Sequence, residues 1–396
     1  MTSNLVPTYA PPNLVFTRGE GVYLYDADDK PWLDFIAGIA VNSLGHCHPA
    51  LVDALKSQAD TLWHLSNMFE VPAREQLAKR YCDSTFADLV FFTNSGTEAV
   101  EGMLKAARKY HADNNQPDRI EILTFAGAFH GRTYGAINAG GNPAYLKGFG
   151  PAMAGFVQLP FGDEEAFLAA ISDKTAAVLI EPVQGEGGVR AADDEFLQLL
   201  RAKCDETGAL LLYDEVQCGA GRTGKLFAHQ WSNAEPDGMA VAKGVGGGFP
   251  LGAFLLTQKV GEHMVVGTHG STFGGNPLAM AVGIALWDEL EKPGMMDHVV
   301  KVGNFLKQQL AALADEYPDL VVETRGKGLL VGLKLNDKLV AKEVAGLARD
   351  EGLLIGAAGD NVIRMAPPLI ITEDHAREAL QKLGKALQKA RDSASK

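Results

Sequence analysis

The sequence predicts an α/β fold in which a large domain with a mostly parallel sheet covered by helices is followed by a smaller α+β domain. Three observations predict it. Between residues 50 and 283 the short apolar runs "LVFFT", "IEILTF", "AAVLIE", "ALLLYD" and "GAFLLT" are separated by long helical stripes. Apolar runs without alternation are strands buried on both faces, and helices between them make the connections of a parallel or mixed sheet. After about residue 283 the pattern changes: helices near 296–316, 337–350 and 373–391 now alternate with "LLVGLKL", "GLLIGA" and "NVIRMAP". Finally, 396 residues are too many for one small core.

The N-terminal part reads as a hairpin, because "VYLYD" and "PWLDF" alternate apolar and polar residues around the turn "ADDK". Residues 1–50 are expected to pack with the small domain, 51–283 to form the large domain and 284–396 the small one. "LGHCHPAL" carries two histidines and Cys47 where a loop enters a helix near Pro49. Neither H-E-x-x-H nor a cysteine pair lies nearby to complete a metal site, so a structural role is expected.

Composition excludes several classes. The net charge of −13, without a basic block, argues against nucleic acid or an anionic membrane as partner. No apolar run approaches the roughly 18 residues that span a bilayer. The start lacks the charged and apolar regions of a secretory signal. Cys47, Cys82, Cys204 and Cys218 form no C-x-x-C pair and suit reduced thiols. A soluble, cytoplasmic chain is expected.

Three segments carry chemistry. In "FFTNSGTEAVEGMLKAARKYH" a strand ends at Thr93, Ser95-Gly96-Thr97 form a polar turn, and a helix begins with Val100, Met103, Leu104 and Ala107 on one face. Free N–H groups, two hydroxyls and a glycine suit a phosphate there, and simple N-capping by Ser95 or Thr97 accounts for them equally well. In "GALLLYDEVQCGAGRTG" the glycines 219, 221 and 224 match G-x-G-x-x-G weakly, because they begin beyond the strand end and no convincing helix follows. Asp214, at the C-terminal end of an apolar strand, is the stronger feature: a buried carboxylate there needs a cation, and a protonated pyridine nitrogen is one. In "DGMAVAKGVGGGFPLGA" Lys243 stands alone between an apolar run and glycines. An amine in partly apolar surroundings is easily neutral and nucleophilic toward an aldehyde. Lysine, aspartate and phosphate turn are the three attachments that pyridoxal phosphate requires.

In order and spacing, "NSGTEA", "GAFHGRT", "EPVQGEGG", "LLYDEVQCGAGRTG", "AKGVGGGFPLGA" and "HGSTFGGNPLA" resemble the class III, ornithine-aminotransferase-like aminotransferases, which have fold type I of the pyridoxal-phosphate enzymes. The likeness runs nearly end to end. It is closest to bacterial members acting on acetylornithine, through "PTYAPPNLVFTRGEGVYLYD", "GIAVNSLGHCHP" and "NVIRMAPPL".

The resemblance implies that Lys243 is the Schiff-base lysine and proton carrier. It further implies that Asp214 holds the pyridinium N–H, that Phe129 and Val216 sandwich the ring, and that Gln217 contacts the ring hydroxyl. Ser95, Gly96 and Thr97 would take the phosphate, joined by Thr272 from the other subunit of a homodimer. Arg132 would bind the substrate carboxylate, with Ser271 nearby from the partner chain. Arg364 would bind the second carboxylate of glutamate, and Glu186 would pair with it when that carboxylate is absent. His130 is expected to pack beside the ring. The reaction so implied moves the terminal amino group of N-acetylornithine to 2-oxoglutarate. Ornithine, succinylornithine, succinyl-diaminopimelate and 4-aminobutyrate are alternative donors. An aminomutase or decarboxylase on the same scaffold ranks lower, because two carboxylate-binding arginines favour a glutamate half-reaction.

Overall fold

The computed structural model describes residues 4–394. The chain opens with three antiparallel strands, β1 (Phe16–Glu20), β2 (Tyr23–Asp26) and β3 (Pro31–Asp34). The expected hairpin is β2–β3, with β1 added at its edge. Asp26 fixes the turn by accepting hydrogen bonds from the N–H groups of Asp28 and Lys30, both at 3.0 Å.

The central sheet is built from β4 (Leu89–Thr93), β5 (Glu121–Phe125), β6 (Phe156–Leu159), β7 (Thr175–Ile180), β10 (Leu210–Asp214), β11 (Gly238–Val241) and β12 (Gly252–Leu256). A two-residue pair, β8 (Val183–Gln184) with β9 (Arg190–Ala191), follows β7 and forms its own small ribbon. The spatial order is β4-β12-β11-β10-β7-β5-β6. All five apolar runs read from the sequence are strands here, and β7, β10, β11 and β12 are buried along their whole length. Only β12 runs against its neighbours. The reason is the short link from β11, residues 242–251: a parallel return needs a crossover of a dozen or more residues, so the chain turns back on itself. Helices pack against the sheet, among them Gly96–Asp113, whose Ala99, Val100, Met103, Leu104, Ala106 and Ala107 are buried.

The C-terminal part contains β13 (Val321–Lys327), β14 (Leu330–Leu335), β15 (Leu353–Leu354), β16 (Gly356–Ala358) and β17 (Val362–Met365). Four of them form a sheet in the order β13-β14-β17-β16, flanked by helices Met295–Glu316, Ala341–Asp350 and Glu373–Ala394. "GLLIGA" is not one strand. It divides at Ile355, and β15 leaves this sheet to pair in parallel with β3, Leu33 opposite Leu353. The first strands of the chain are thereby fastened to its last third. Among the described residues no helix is long and apolar enough to cross a membrane.

Candidate active site

The parallel strands of the central sheet end on one edge, the place where open α/β sheets bind ligands. A cavity of about 440 Å³ lies there. Its wall contains Ser95, Gly96 and Thr97 from beyond β4, Phe129, His130 and Arg132 from the loop after β5, Asp214 and Val216 from the end of β10, and Lys243 from beyond β11. Residues scattered over about 150 positions of sequence are brought together because each follows a strand of the same sheet.

Lys243 opens a 3-10 turn with φ of 50°, a left-handed conformation that costs a lysine energy and persists only where surroundings enforce it. Part of that enforcement is Ser43, whose hydroxyl donates to the carbonyl of Gly244 at 3.1 Å. Desolvation lowers the lysine's pKa. The charges of Glu186 and Asp214 oppose this and that of Arg364 adds to it. Asp214 is 3% exposed, and its two oxygens are engaged from different sides. Oδ1 accepts from the Val216 N–H at 3.0 Å, and Oδ2 meets His130 Nδ1 at 2.8 Å.

At the polar turn Ser95 caps the helix, its Oγ accepting from the Glu98 N–H at 3.4 Å, so the capping reading holds locally while the turn still faces the cavity. Thr97 Oγ1 lies 2.8 Å from Thr133 Oγ1. Gly96 permits a close approach, since a Cβ there would stand 2.6 Å from Val216 Cγ1. An amine, a carboxylate and a helix N-terminus thus reach one cavity, and these are groups that fit a phosphorylated pyridine aldehyde.

Beside Lys243 lies a second cluster. Arg364 on β17 is buried, and its Nη1 donates both to Glu186 Oε1 and, at 3.1 Å, to Gln217 Oε1. Gln217 Nε2 returns a bond to Glu186 at 3.5 Å. Arg132 is held differently. It is exposed, with its guanidinium 3.7 Å from the centroid of the Tyr145 ring and 5.5 Å from that of Phe129. Ser271 and Thr272 do not face the Lys243 cavity of their own chain. They line a separate depression with Asn94, Glu98 and His269. Ser271 Oγ accepts from the Gly274 N–H at 2.9 Å, and Thr272 is exposed.

Other sequence features find structural roles. Glycines 221 and 224 approach Leu369, Met296 and Val300, so the G-x-G-x-x-G spacing serves packing against the C-terminal part. His46 Nε2 bonds Asp34 Oδ2 at 2.8 Å. Two site residues were missed. Tyr145 has no motif around it. Glu181 had a signal, because "AAVLIE" ends an apolar strand in a carboxylate just as "ALLLYD" does.

A family model described as aminotransferase class-III matches residues 6–387. The acetylornithine aminotransferase 2 of Caulobacter vibrioides is 55% identical over 384 residues, covering 96% of this chain and 94% of that protein. Among solved structures, the N-acetylornithine aminotransferase of Stenotrophomonas maltophilia is 36% identical with a TM-score of 0.85, over 97% of this chain and 98% of that one. An ornithine aminotransferase of Toxoplasma gondii, described with partial occupancy of PLP at its active site, superposes with a TM-score of 0.94 at 30% identity, over 99% of this chain and 94% of that one. With the family model matched over nearly the whole length and strand ends that gather a lysine, an aspartate and a phosphate-ready turn, the chain belongs to the class-III aminotransferases.

Proposed function

We propose that this chain is a pyridoxal-phosphate-dependent aminotransferase. In this reading it moves the terminal amino group of N2-acetyl-L-ornithine to 2-oxoglutarate, giving N-acetyl-L-glutamate 5-semialdehyde and L-glutamate, a step of arginine biosynthesis. The observation that carries the reading is the meeting of Lys243, Asp214 and the 95–97 turn in one cavity. The names of the relatives supply the donor.

Bound pyridoxal phosphate supplies an aldehyde that exchanges amino groups and a ring that accepts electron density. Lys243 would hold the cofactor through its amine and would move the proton at the substrate carbon. Its lowered pKa leaves more of the amine neutral for both tasks. Asp214 would keep a proton on the ring nitrogen. Phe129 and Val216 would hold the ring between them, and Gln217 would meet its hydroxyl. Ser95, Gly96 and Thr97 would hold the phosphate with N–H and hydroxyl donors, strengthened by the helix dipole. Arg132 binds the carboxylate common to both substrates. Arg364 takes the carboxylate beside the amino group of glutamate, and Glu186 covers Arg364 when the acetylated donor lacks that group.

The protein acts in this reading as a cytoplasmic homodimer, in which Thr272 of one chain completes the phosphate site and Ser271 the substrate site of the other. Their position away from the Lys243 cavity of their own chain supports this assignment. A donor panel with 2-oxoglutarate as fixed acceptor tests the function. Acetylornithine should give the highest kcat/KM among acetylornithine, ornithine, succinylornithine, succinyl-diaminopimelate and 4-aminobutyrate. A higher value for any other donor reassigns the substrate, and no transfer from any of them overturns the reading.

A further inference from the structure

Glu181 follows β7 as Asp214 ends β10, and the two strands are parallel neighbours in register, Ile180 opposite Tyr213. The two carboxylates therefore stand side by side at the site edge, both buried. Each grips the same loop. Glu181 Oε1 accepts the Phe129 N–H at 2.9 Å, and Asp214 Oδ2 bonds the His130 ring at 2.8 Å. Glu181 Oε2 also accepts the Gly185 N–H at 3.4 Å, which ties the same carboxylate to the turn that carries Glu186. His130 Nε2 is buried without a partner among the described residues, so this imidazole answers electrostatically to the carboxylates on its other side.

We propose that Glu181 is a positioning residue of this site: it holds the Phe129–His130 segment together with Asp214, and its carboxylate, beside that of Asp214, acts on the one imidazole of His130, so that the charge on Glu181 governs how long the imidazole keeps its proton as pH rises. Asp214 and His130 act directly on Glu181, which in turn acts on Arg190, Lys243 and the buried Cys218. Burial and the negative charge of Asp214 push the Glu181 carboxyl up to about 7, while His130 and the two N–H bonds pull it down. Burial works against the charged form of His130, but the bond to Asp214 and the charges of Asp214 and Glu181 raise it overall. An ionised Glu181 therefore holds the imidazole proton to higher pH. When Glu181 is protonated that help is lost.

The proposal rests on the aminotransferase reading for its kinetic arm only. The test uses the full chain loaded with pyridoxal phosphate and labelled with 13C-histidine, with the His130 resonance identified by its loss in His130→Gln. In wild type it should shift in two steps with pH, the mark of coupled groups. In Glu181→Gln, where the amide oxygen can still accept the Phe129 N–H, it should shift in one step, lower by about one pH unit. The same variant should keep KM for donor and acceptor within about twofold, match wild-type rates on the acid side of neutrality and lose rate on the alkaline side about one pH unit earlier. Glu181→Asp, which keeps the charge and shortens the reach to Phe129, should restore the alkaline limb. An unchanged resonance and pH profile in Glu181→Gln would overturn the proposal. Should that variant fail to fold, a single-step titration of wild-type His130 overturns it as well. If the chain takes up no cofactor, the aminotransferase reading fails, and the His130 titration still decides the role of Glu181.

Discussion

Arg364 and Arg132 are both assigned to carboxylates, but the fold holds them in opposite ways. Arg364 lies on an interior strand, buried, with Glu186 and Gln217 bonded to it. Arg132 lies on a loop, exposed, stacked on Tyr145, with no carboxylate partner among the described residues. A buried guanidinium stripped of its counter-charge is costly, so it must exchange one carboxylate for another. An exposed one stacked on an aromatic ring tolerates vacancy, because water and the ring both attend to it. In the proposed reading the pair would thus divide the work: Arg132 would serve every substrate, and Arg364 would distinguish the two half-reactions.

The largest effect removes the chemistry that both arginines serve. Lys243→Ala should lower both half-reactions by more than about 10⁴-fold, since nucleophile and proton carrier go together. Borohydride reduction of the loaded wild type should fix the cofactor to the peptide containing Lys243, and label on another lysine would refute the assignment. Next come the arginines themselves. Arg364→Ala should cut the glutamate half-reaction by about 2–5 kcal/mol of transition-state binding and leave the acetylornithine half within about tenfold. Arg132→Ala should damage both halves alike. Single-turnover rates of each half-reaction are the measurement, and equal damage to both halves in Arg364→Ala breaks the comparison. Glu186→Ala is smaller: glutamate should bind about tenfold tighter and acetylornithine about tenfold weaker, a change of preference instead of a general loss. The smallest change is Tyr145→Leu, which removes a cation–π contact worth about 0.5–1 kcal/mol and should raise both KM values two- to fivefold. Tyr145→Phe keeps the ring and should not.

The sequence made some of this plain for physical reasons. Strands buried on both faces announce themselves as unbroken apolar runs, so β5, β7, β10 and β12 were legible, as was β4, an edge strand that keeps an apolar run although Leu89 is exposed, and with them the chemistry placed just beyond their ends. Edge strands carry a weaker pattern, and β1, β6 and β13 were not seen. "GLLIGA" is apolar throughout, so nothing local says that Leu353–Leu354 belongs with β3 and Gly356–Ala358 with β17. The Glu186–Arg364 contact followed from resemblance alone, because no spacing rule links a turn to a strand far along the chain. Glu181 needed the register of β7 against β10, which a sequence without neighbours does not carry. Tyr145 depends on how a loop folds over Arg132.

The fastening of the first strands to the last third has a bearing on how the protein is made. Besides the β3–β15 pairing, the Tyr23 hydroxyl donates to Glu378 at 2.8 Å across 355 residues of sequence. Loop closure over such a span comes late, after the local contacts of the central sheet have formed. On the ribosome the strands β1–β3 emerge well before the parts they bind, β15 and the helix of Glu378. Val41, on the segment that follows β3, lines the Lys243 cavity. A chain still being translated can thus complete much of its central sheet while one wall of the pocket waits for β15 to emerge.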